Sequence, residues 1–109
     1  MVHDPRLAEL LREALLGMTG ITERNMFGGV CFLLNGNMLA GVADHDRFMF
    51  RVGKDQEAEA LERPGSRPMD FTGRKMGGFV WVDADAAIEA GLKDWLGFAA
   101  RFVGALPPK

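Results

Sequence analysis

Only a few side chains in this sequence have the chemistry of a catalytic group, and each has an unfavourable setting. Cys31, the single cysteine, stands between Val30 and Phe32 in an apolar segment, whereas a cysteine nucleophile needs exposure and a neighbouring base. Ser66, the single serine, lies in a stretch rich in proline and glycine, without the sequence of a nucleophile elbow. Both residues are interpreted as structural, and we predict no catalytic residue.

Metal binding has one candidate segment, in which Asp44, His45 and Asp46 are consecutive. Neighbouring residues of an extended chain point to opposite sides, so a single tripeptide rarely closes a coordination shell. A solvated hairpin tip explains these residues better. The other histidine, His3, lies near the terminus, and no Cys/His spacing indicates zinc. The sequence predicts neither a metal nor a cofactor.

Two glycine pairs beside apolar strands are the most conspicuous motif. The first pair follows a Met-Phe dipeptide and the second precedes Phe79. Neither continues into the Gly-Lys-Ser/Thr of a phosphate-binding loop. Glycines inside strands typically mark a bulge, a sharp bend or a close approach of another backbone. We therefore predict a structural role for Met26, Phe27, Gly28, Gly29, Gly77 and Gly78.

The charge balance argues against independent nucleic-acid binding. Lys and Arg number 13 and Asp and Glu number 15, a net charge of -2, so no overall positive field attracts phosphates. Residues 63–75 have a local positive excess, with Phe71 as the one aromatic residue there. We interpret this stretch as a solvated loop; the alternative is a docking site for an acidic partner or a nucleic-acid backbone. We expect DNA contact only indirectly, through a protein partner.

Length and composition limit the architecture and the compartment. A chain of 109 residues, 48% apolar and 26% charged, has the size and balance of one globular domain, which we expect residues 1–109 to form. No apolar run reaches the roughly 18 residues that cross a bilayer, and the N-terminus has no leader pattern. A lone cysteine forms no internal disulfide. These features predict a cytoplasmic protein without membrane contact.

Hydrophobic periodicity predicts the elements that position these residues. Apolar residues recur at helical spacing after Asp4 and Pro5, and again from Leu92 until Pro107. The spacing of apolar residues and the turn residues between them predict strands near 23–27, 29–34, 38–43, 47–52, 69–72 and 75–82. The same signals predict short helices at 54–62 and 86–90 and a loop at 63–68. This order predicts an α+β two-layer sandwich, with an antiparallel sheet of five or six strands and N- and C-terminal helices.

Several strands are apolar on both sides, although a sheet covered by helices on one face should alternate. In 29–34 the residues of both parities are apolar, and so are all four residues of 79–82. We hypothesise that the second face meets a partner protein or another subunit, with Leu33, Met49 and Trp81 as contributors. The alternative is that twisted strands and amphipathic helices enclose both faces within one chain.

The run from Arg24 to Val30, followed by a strand, a glycine-containing turn and Met38-Leu39-Ala40, resembles the opening of the TfoX N-terminal domain family. The strand at 79–82 and the apolar C-terminal helix fall where that family has comparable elements. The resemblance implies a bacterial protein with a fold like secretion-chaperone domains, linked to transcriptional control of competence together with the cAMP receptor protein. It implies no catalytic residues.

The chain also departs from that family. Longer members have a second, C-terminal domain, whereas this sequence ends at Lys109, and it contains no tyrosine. We predict a non-catalytic regulatory or protein-interaction domain. One alternative is a small-molecule-binding module with an apolar ligand between helix and sheet, which an internal pocket would favour. The other is a small hydrolase or transferase, which convergent polar groups in a cleft would favour.

Overall fold

The computed structural model describes residues 5–26, 28–42, 46–71 and 74–109, and these ranges contain four helices and six strands. The helices are α1 (Pro5–Ala14), α2 (Lys54–Leu61), α3 (Ala84–Ala90) and α4 (Leu92–Val103). The strands are β1 (Ile21–Met26), β2 (Gly29–Leu34), β3 (Asn37–Val42), β4 (Arg47–Arg51), β5 (Ser66–Phe71) and β6 (Arg74–Asp83). The predicted α+β class is confirmed.

The strands form one antiparallel sheet in the order β1-β2-β3-β4-β6-β5. Strands that follow one another along the chain pair side by side, except β4 and β5. The β2–β3 turn is the clearest case, because Asn35 and Gly36 have φ angles of 54° and 85° between the paired residues Leu34 and Asn37. Two positive φ angles in a two-residue turn match the twist of a hairpin, and Asn-Gly adopts them readily. Among the described strands, β4 is joined to β5 by a crossover through α2, and β6 lies between β4 and β5.

All four helices contribute to a single apolar core on one side of the sheet. Leu11 of α1, Ala60 of α2, Ala87 of α3 and Leu96 of α4 are all buried there. Aromatic rings join the layers, because Trp95 of α4 stacks on Phe50 of β4 with a centroid separation of 5.1 Å. This layer of helices leaves the opposite side of the sheet without a helical cover.

Polar contacts hold the first helix and the C-terminal residues to the sheet. Arg12 of α1 donates to both carboxylate oxygens of Glu23 on β1, at 3.0 and 2.7 Å. Buried Asn37 donates through its side chain to the Pro107 carbonyl at 3.0 Å. A buried amide without such a partner would cost stability, so this bond fixes the C-terminal segment beside β3.

The strand β5 differs from the sequence-based prediction. We expected a loop at 63–68 and a strand from residue 69, whereas β5 begins at Ser66 and continues through Pro68. Proline is tolerated because β5 is the outermost strand, where one row of backbone groups faces away from the sheet. The Ser66 Oγ lies 2.8 Å from both the Ala60 and Arg63 carbonyl oxygens, which share its single proton, so the hydroxyl closes the end of α2.

Candidate functional site

The sheet has two apolar sides, as the strand pattern predicts. On β2, Phe32 faces the helices and belongs to the main core, whereas its neighbour Cys31 belongs to a separate cluster on the opposite side. We call this opposite side the helix-free face, meaning the side that carries Cys31, Met49 and Trp81. No residue of its cluster comes from a helix. This face is therefore the candidate site for contact with another molecule.

The cluster on the helix-free face contains side chains from five strands. Its members are Cys31, Met49, Met69 and Trp81, with Met38 and Phe79 packed against them. Met49 and Trp81 are direct cross-strand partners, and such pairs are the unit of packing on a sheet. Gly41 of β3 lies between Met49 and Cys31 and leaves space for both side chains, because a Cβ at Gly41 would lie 3.1 Å from Met49 Cε and 3.3 Å from Cys31 Sγ.

Arginines surround this cluster. The Arg47 guanidinium carbon lies 3.9 Å from the centroid of the Trp81 ring, and that of Arg51 lies 5.5 Å from the Phe79 ring. Arg67 donates to both carboxylate oxygens of Asp83, at 3.0 and 2.9 Å. Cations over aromatic rings are attracted by the ring quadrupole, and their stems cover apolar surface. The charged groups thus help to cover the apolar centre of the face.

The three residues predicted for an interaction surface lie on the helix-free face, but they expose little area. Leu33, Met49 and Trp81 have exposed fractions of 6%, 5% and 7%. Met49 and Trp81 share the cluster, whereas Leu33 is not one of its members. Sequence reasoning missed Met69 and the arginines around the cluster. The alternation Arg47-Phe48-Met49-Phe50-Arg51 was the available signal, because it places a cation on each side of Met49.

The two glycine pairs differ in their surroundings. Gly78, at φ 87°, lies against the turn before α2, where an added Cβ would be 3.2 Å from Gly53 Cα. Its carbonyl accepts from the amides of Val52 and Gly53 at 2.8 and 3.0 Å. Gly28 is exposed with φ 76°, and Gly29 is buried in β2. Phe27 is outside the described residues, and Gly77 lies beside Lys54.

The other sequence candidates do not form a reactive centre in the part of the chain that the structure describes. Cys31 is buried, and burial raises the pKa of its thiol, which disfavours the thiolate. Asp44 and His45 lie outside the described residues, whereas Asp46 is exposed. Within the described ranges no group of three or more His, Cys, Asp or Glu residues could hold a metal ion.

The basic stretch 63–75 does not act as one patch. The Arg63 guanidinium lies 4.8 and 4.4 Å from the rings of Trp95 and Phe98 on the helix side. Arg67 instead lies on the helix-free face, because its strand partner is Trp81. Of these two arginines, Arg67 is the one placed to join the arginines described above, whereas the side chains of Arg74 and Lys75 are outside those that the structure describes.

Two surface clefts bear on the alternative functions. One, of about 330 Å³, is lined by Arg51, Gly53, Lys54, Asp55, Gly77, Gly78, Phe79 and Phe102. The other, of about 580 Å³, combines aspartates and arginines, and its lining includes Asp46, Asp83 and Asp85 but no Ser, Thr, Cys or His. Asp83 there is paired with Arg67. Among the described residues that line these two clefts there is no serine, threonine or cysteine to act as a nucleophile beside a base.

The fold and the face together define an α+β domain whose antiparallel sheet has helices on one side only. The family model of the TfoX N-terminal domain matches residues 13–102. The chain therefore belongs to the TfoX N-terminal domain family, as its sequence resemblance implies. No curated protein and no solved structure gave a match. None of the helices in the described ranges has the length and hydrophobicity of a bilayer-spanning segment.

Proposed function

We propose that this chain is a non-catalytic protein-interaction domain that acts through the helix-free face of its sheet. The observation that carries the proposal is the cluster of Cys31, Met49, Met69 and Trp81, to which no helix contributes and around which arginines are arranged. A sheet face normally becomes polar where no layer covers it. An apolar centre with a charged rim is instead the usual composition of a protein interface.

Family membership and this face together support a regulatory role. We propose that the domain works in the cytoplasm and contributes to transcriptional control, including competence, by binding a protein partner. It would reach DNA only through that partner, since its net charge is -2. The buried thiol of Cys31 and the absence of a nucleophile from the two clefts support a role without catalysis.

A ligand held between the helices and the sheet is disfavoured by the packing of the core. Trp95, Leu96 and Phe98 of α4 are at most 1% exposed, and they pack directly against the sheet. Phe48 and Phe50 fill the facing positions of β4 with no exposed area. Ligand pockets of this kind are preformed cavities of several hundred Å³, and this layer is filled by side chains.

Affinity purification from the native cell tests the proposal, with variants chosen at exposed positions. Trp81 and Met49 are buried, so their substitution would test folding as well as binding. Arg24→Glu/Arg67→Glu changes exposed residues on the helix-free face, and Lys93→Glu/Arg101→Glu changes exposed residues on α4. Both double variants change the net charge equally. We expect the first to lose specific protein partners and the second to retain them; equal recovery with both would contradict the proposal.

A further inference from the structure

We propose that the helix-free face binds an acidic segment of a partner protein. The inference rests on the proposed function and specifies the chemistry of the partner. Among side chains that the structure describes, strand register places four arginines but only one carboxylate on this face: Arg24, Arg47, Arg51 and Arg67, against Asp83. The whole chain has a net charge of -2. The face is therefore positive on a negatively charged protein.

The arginines extend across the sheet. Arg24 lies on the edge strand β1 and Arg67 on the opposite edge strand β5, and both are exposed. Arg47 and Arg51 lie on β4 between them, each beside an aromatic ring of β6. Arg51 is at the border of the face, because its guanidinium carbon is also 5.5 Å from the Phe102 ring of α4. A guanidinium held against a ring is partly ordered, so it loses less freedom when a carboxylate binds. Carboxylates spaced along one segment could contact this row through charge-assisted hydrogen bonds.

Charge disfavours a symmetric dimer through the same face. In a two-fold interface each surface patch meets its own copy. Two helix-free faces would therefore bring the arginines of one copy against those of the other. Like charges across an interface cost binding energy and reduce the association rate. Binding of an acidic partner is instead favoured, because its negative charges are complementary to the arginines of the face.

The aromatic residues disfavour a nucleic acid as the partner. Proteins that bind single strands stack the bases on open aromatic rings. Trp81 is 7% exposed, and the Arg47 guanidinium lies over its ring at 3.9 Å. Phe79 is only partly exposed, with Arg51 beside it. The chain's own cations therefore cover these rings, which leaves no open aromatic surface there for the stacking of bases.

Calorimetric titration of the full chain tests the inference with a defined probe, a synthetic peptide that has glutamates at both ends and leucines at its centre. A matched peptide with lysine in place of glutamate, and an oligothymidylate, serve as competitors of different chemistry. We expect saturable, salt-sensitive binding of the glutamate peptide only. Arg24→Glu/Arg67→Glu should weaken it by about tenfold or more. Lys93→Glu/Arg101→Glu should change it by less than about twofold.

Several results would overturn the inference. The first is that the folded wild-type chain fails to bind the glutamate peptide, and the second is that both double variants lose affinity for this peptide equally. The third is that the oligothymidylate binds more tightly than the glutamate peptide. The fourth is that the chain self-associates in sedimentation equilibrium and Arg24→Glu/Arg67→Glu abolishes this self-association. Circular dichroism of each variant, and the milder Arg24→Gln, separate loss of binding from loss of folding. A separate outcome is that the affinity purification recovers a partner with wild type but not with Arg24→Glu/Arg67→Glu, while the glutamate peptide does not bind. That result would contradict only the acidic character of the partner, and the proposed function would stand.

Discussion

The guanidinium of Arg47 lies over the indole ring of Trp81, 3.9 Å from its centroid, on the side of the sheet that no helix covers. The two residues come from adjacent strands, because Arg47 pairs with Asp83 and Met49 pairs with Trp81. The contact joins the apolar cluster to the arginines around it. A cation therefore takes part in covering an aromatic ring that another layer of secondary structure would cover in a closed sandwich.

Removing this cation should make Trp81 accessible to solvent. We expect Arg47→Ala to increase acrylamide quenching of tryptophan fluorescence, since Trp95 is buried with 0% exposure and contributes little quenching in either protein. The stability loss should be about 0.5–1 kcal/mol. Arg101→Ala, on the helix side, is the matched control and should leave quenching unchanged. Unchanged quenching in Arg47→Ala would show that Arg47 does not cover the ring.

The cluster on the helix-free face should contribute to folding stability. Trp81→Ala removes a large side chain that is 7% exposed, and we expect the free energy of unfolding to fall by about 3 kcal/mol or more. Leu16→Ala serves as the control, because Leu16 is 75% exposed and its truncation should change stability by less than about 0.5 kcal/mol. Urea unfolding measures both. Similar values for the two variants would mean that the cluster is not packed as described.

Replacement by alanine should change stability in opposite directions at two of the glycines. Gly78 has φ 87° and lies against the Gly53 backbone, whereas Gly97 in α4 has no atom within 4 Å of an added Cβ. Gly78→Ala should destabilise the chain by more than about 1 kcal/mol. Gly97→Ala should stabilise it by about 0.5–1 kcal/mol, because alanine is the better helix former. Thermal unfolding of both variants checks the pair, and stabilisation by Gly78→Ala would be inconsistent with the close approach.

The contact between Arg12 and Glu23 should make stability depend on pH. The hydrogen bond from Arg12 lowers the pKa of Glu23 below its ordinary value of 4.5. The ionised carboxylate is thus favoured in the folded state, so its contribution is present above pH 4.5 and is lost as the pH falls through the folded-state pKa. Glu23→Gln should reduce stability slightly at neutral pH, since the side chains of Arg12 and Glu23 are 41% and 39% exposed and solvent screens the pair.

The difference between wild type and Glu23→Gln should disappear in acid. Unfolding measured across the acidic range tests this sign, with Glu13→Gln as the control because Glu13 is exposed on α1, the helix that contains Arg12. A difference that grows as the pH falls would contradict the ion pair as the cause.

The thiol of Cys31 should be unreactive in the folded chain. It is 3% exposed and burial raises its pKa, so both access and thiolate formation are disfavoured. We expect a thiol reagent at mildly alkaline pH to react slowly with the native protein and rapidly in denaturant. A Leu16→Cys variant should gain one fast-reacting thiol. Fast labelling of native wild type would contradict the described packing.

Local sequence signals predicted much of the fold. The strand at 29–34 follows from a short apolar run that ends at turn residues, and the turn at Asn35 and Gly36 follows from the positive φ angles that Asn-Gly tolerates. The helices at the two ends follow from their apolar periodicity. Assignment of Phe32 and Cys31 to opposite faces follows from the two-residue repeat of a strand.

The remaining features depend on contacts between distant parts of the chain. A strand through Pro68 is stable because β5 is at the edge, and that position is set by the insertion of β6 between β4 and β5. The row of arginines likewise exists only after β1, β4 and β5 are in register. Sequence reasoning placed Met49 and Trp81 on the second face, but it could not show that nearby cations leave them with little exposed area.

Site-specific photo-cross-linking in the native cell tests most directly whether the helix-free face is a protein-binding surface. A photoreactive amino acid replaces Thr22 on that face, whose strand partner is Leu33, in one variant and Lys93 on α4 in another, both at exposed positions. We expect cross-links to a discrete partner protein from position 22 and none from position 93. Absence of protein cross-links at position 22, or the same cross-links at both positions, would contradict the account.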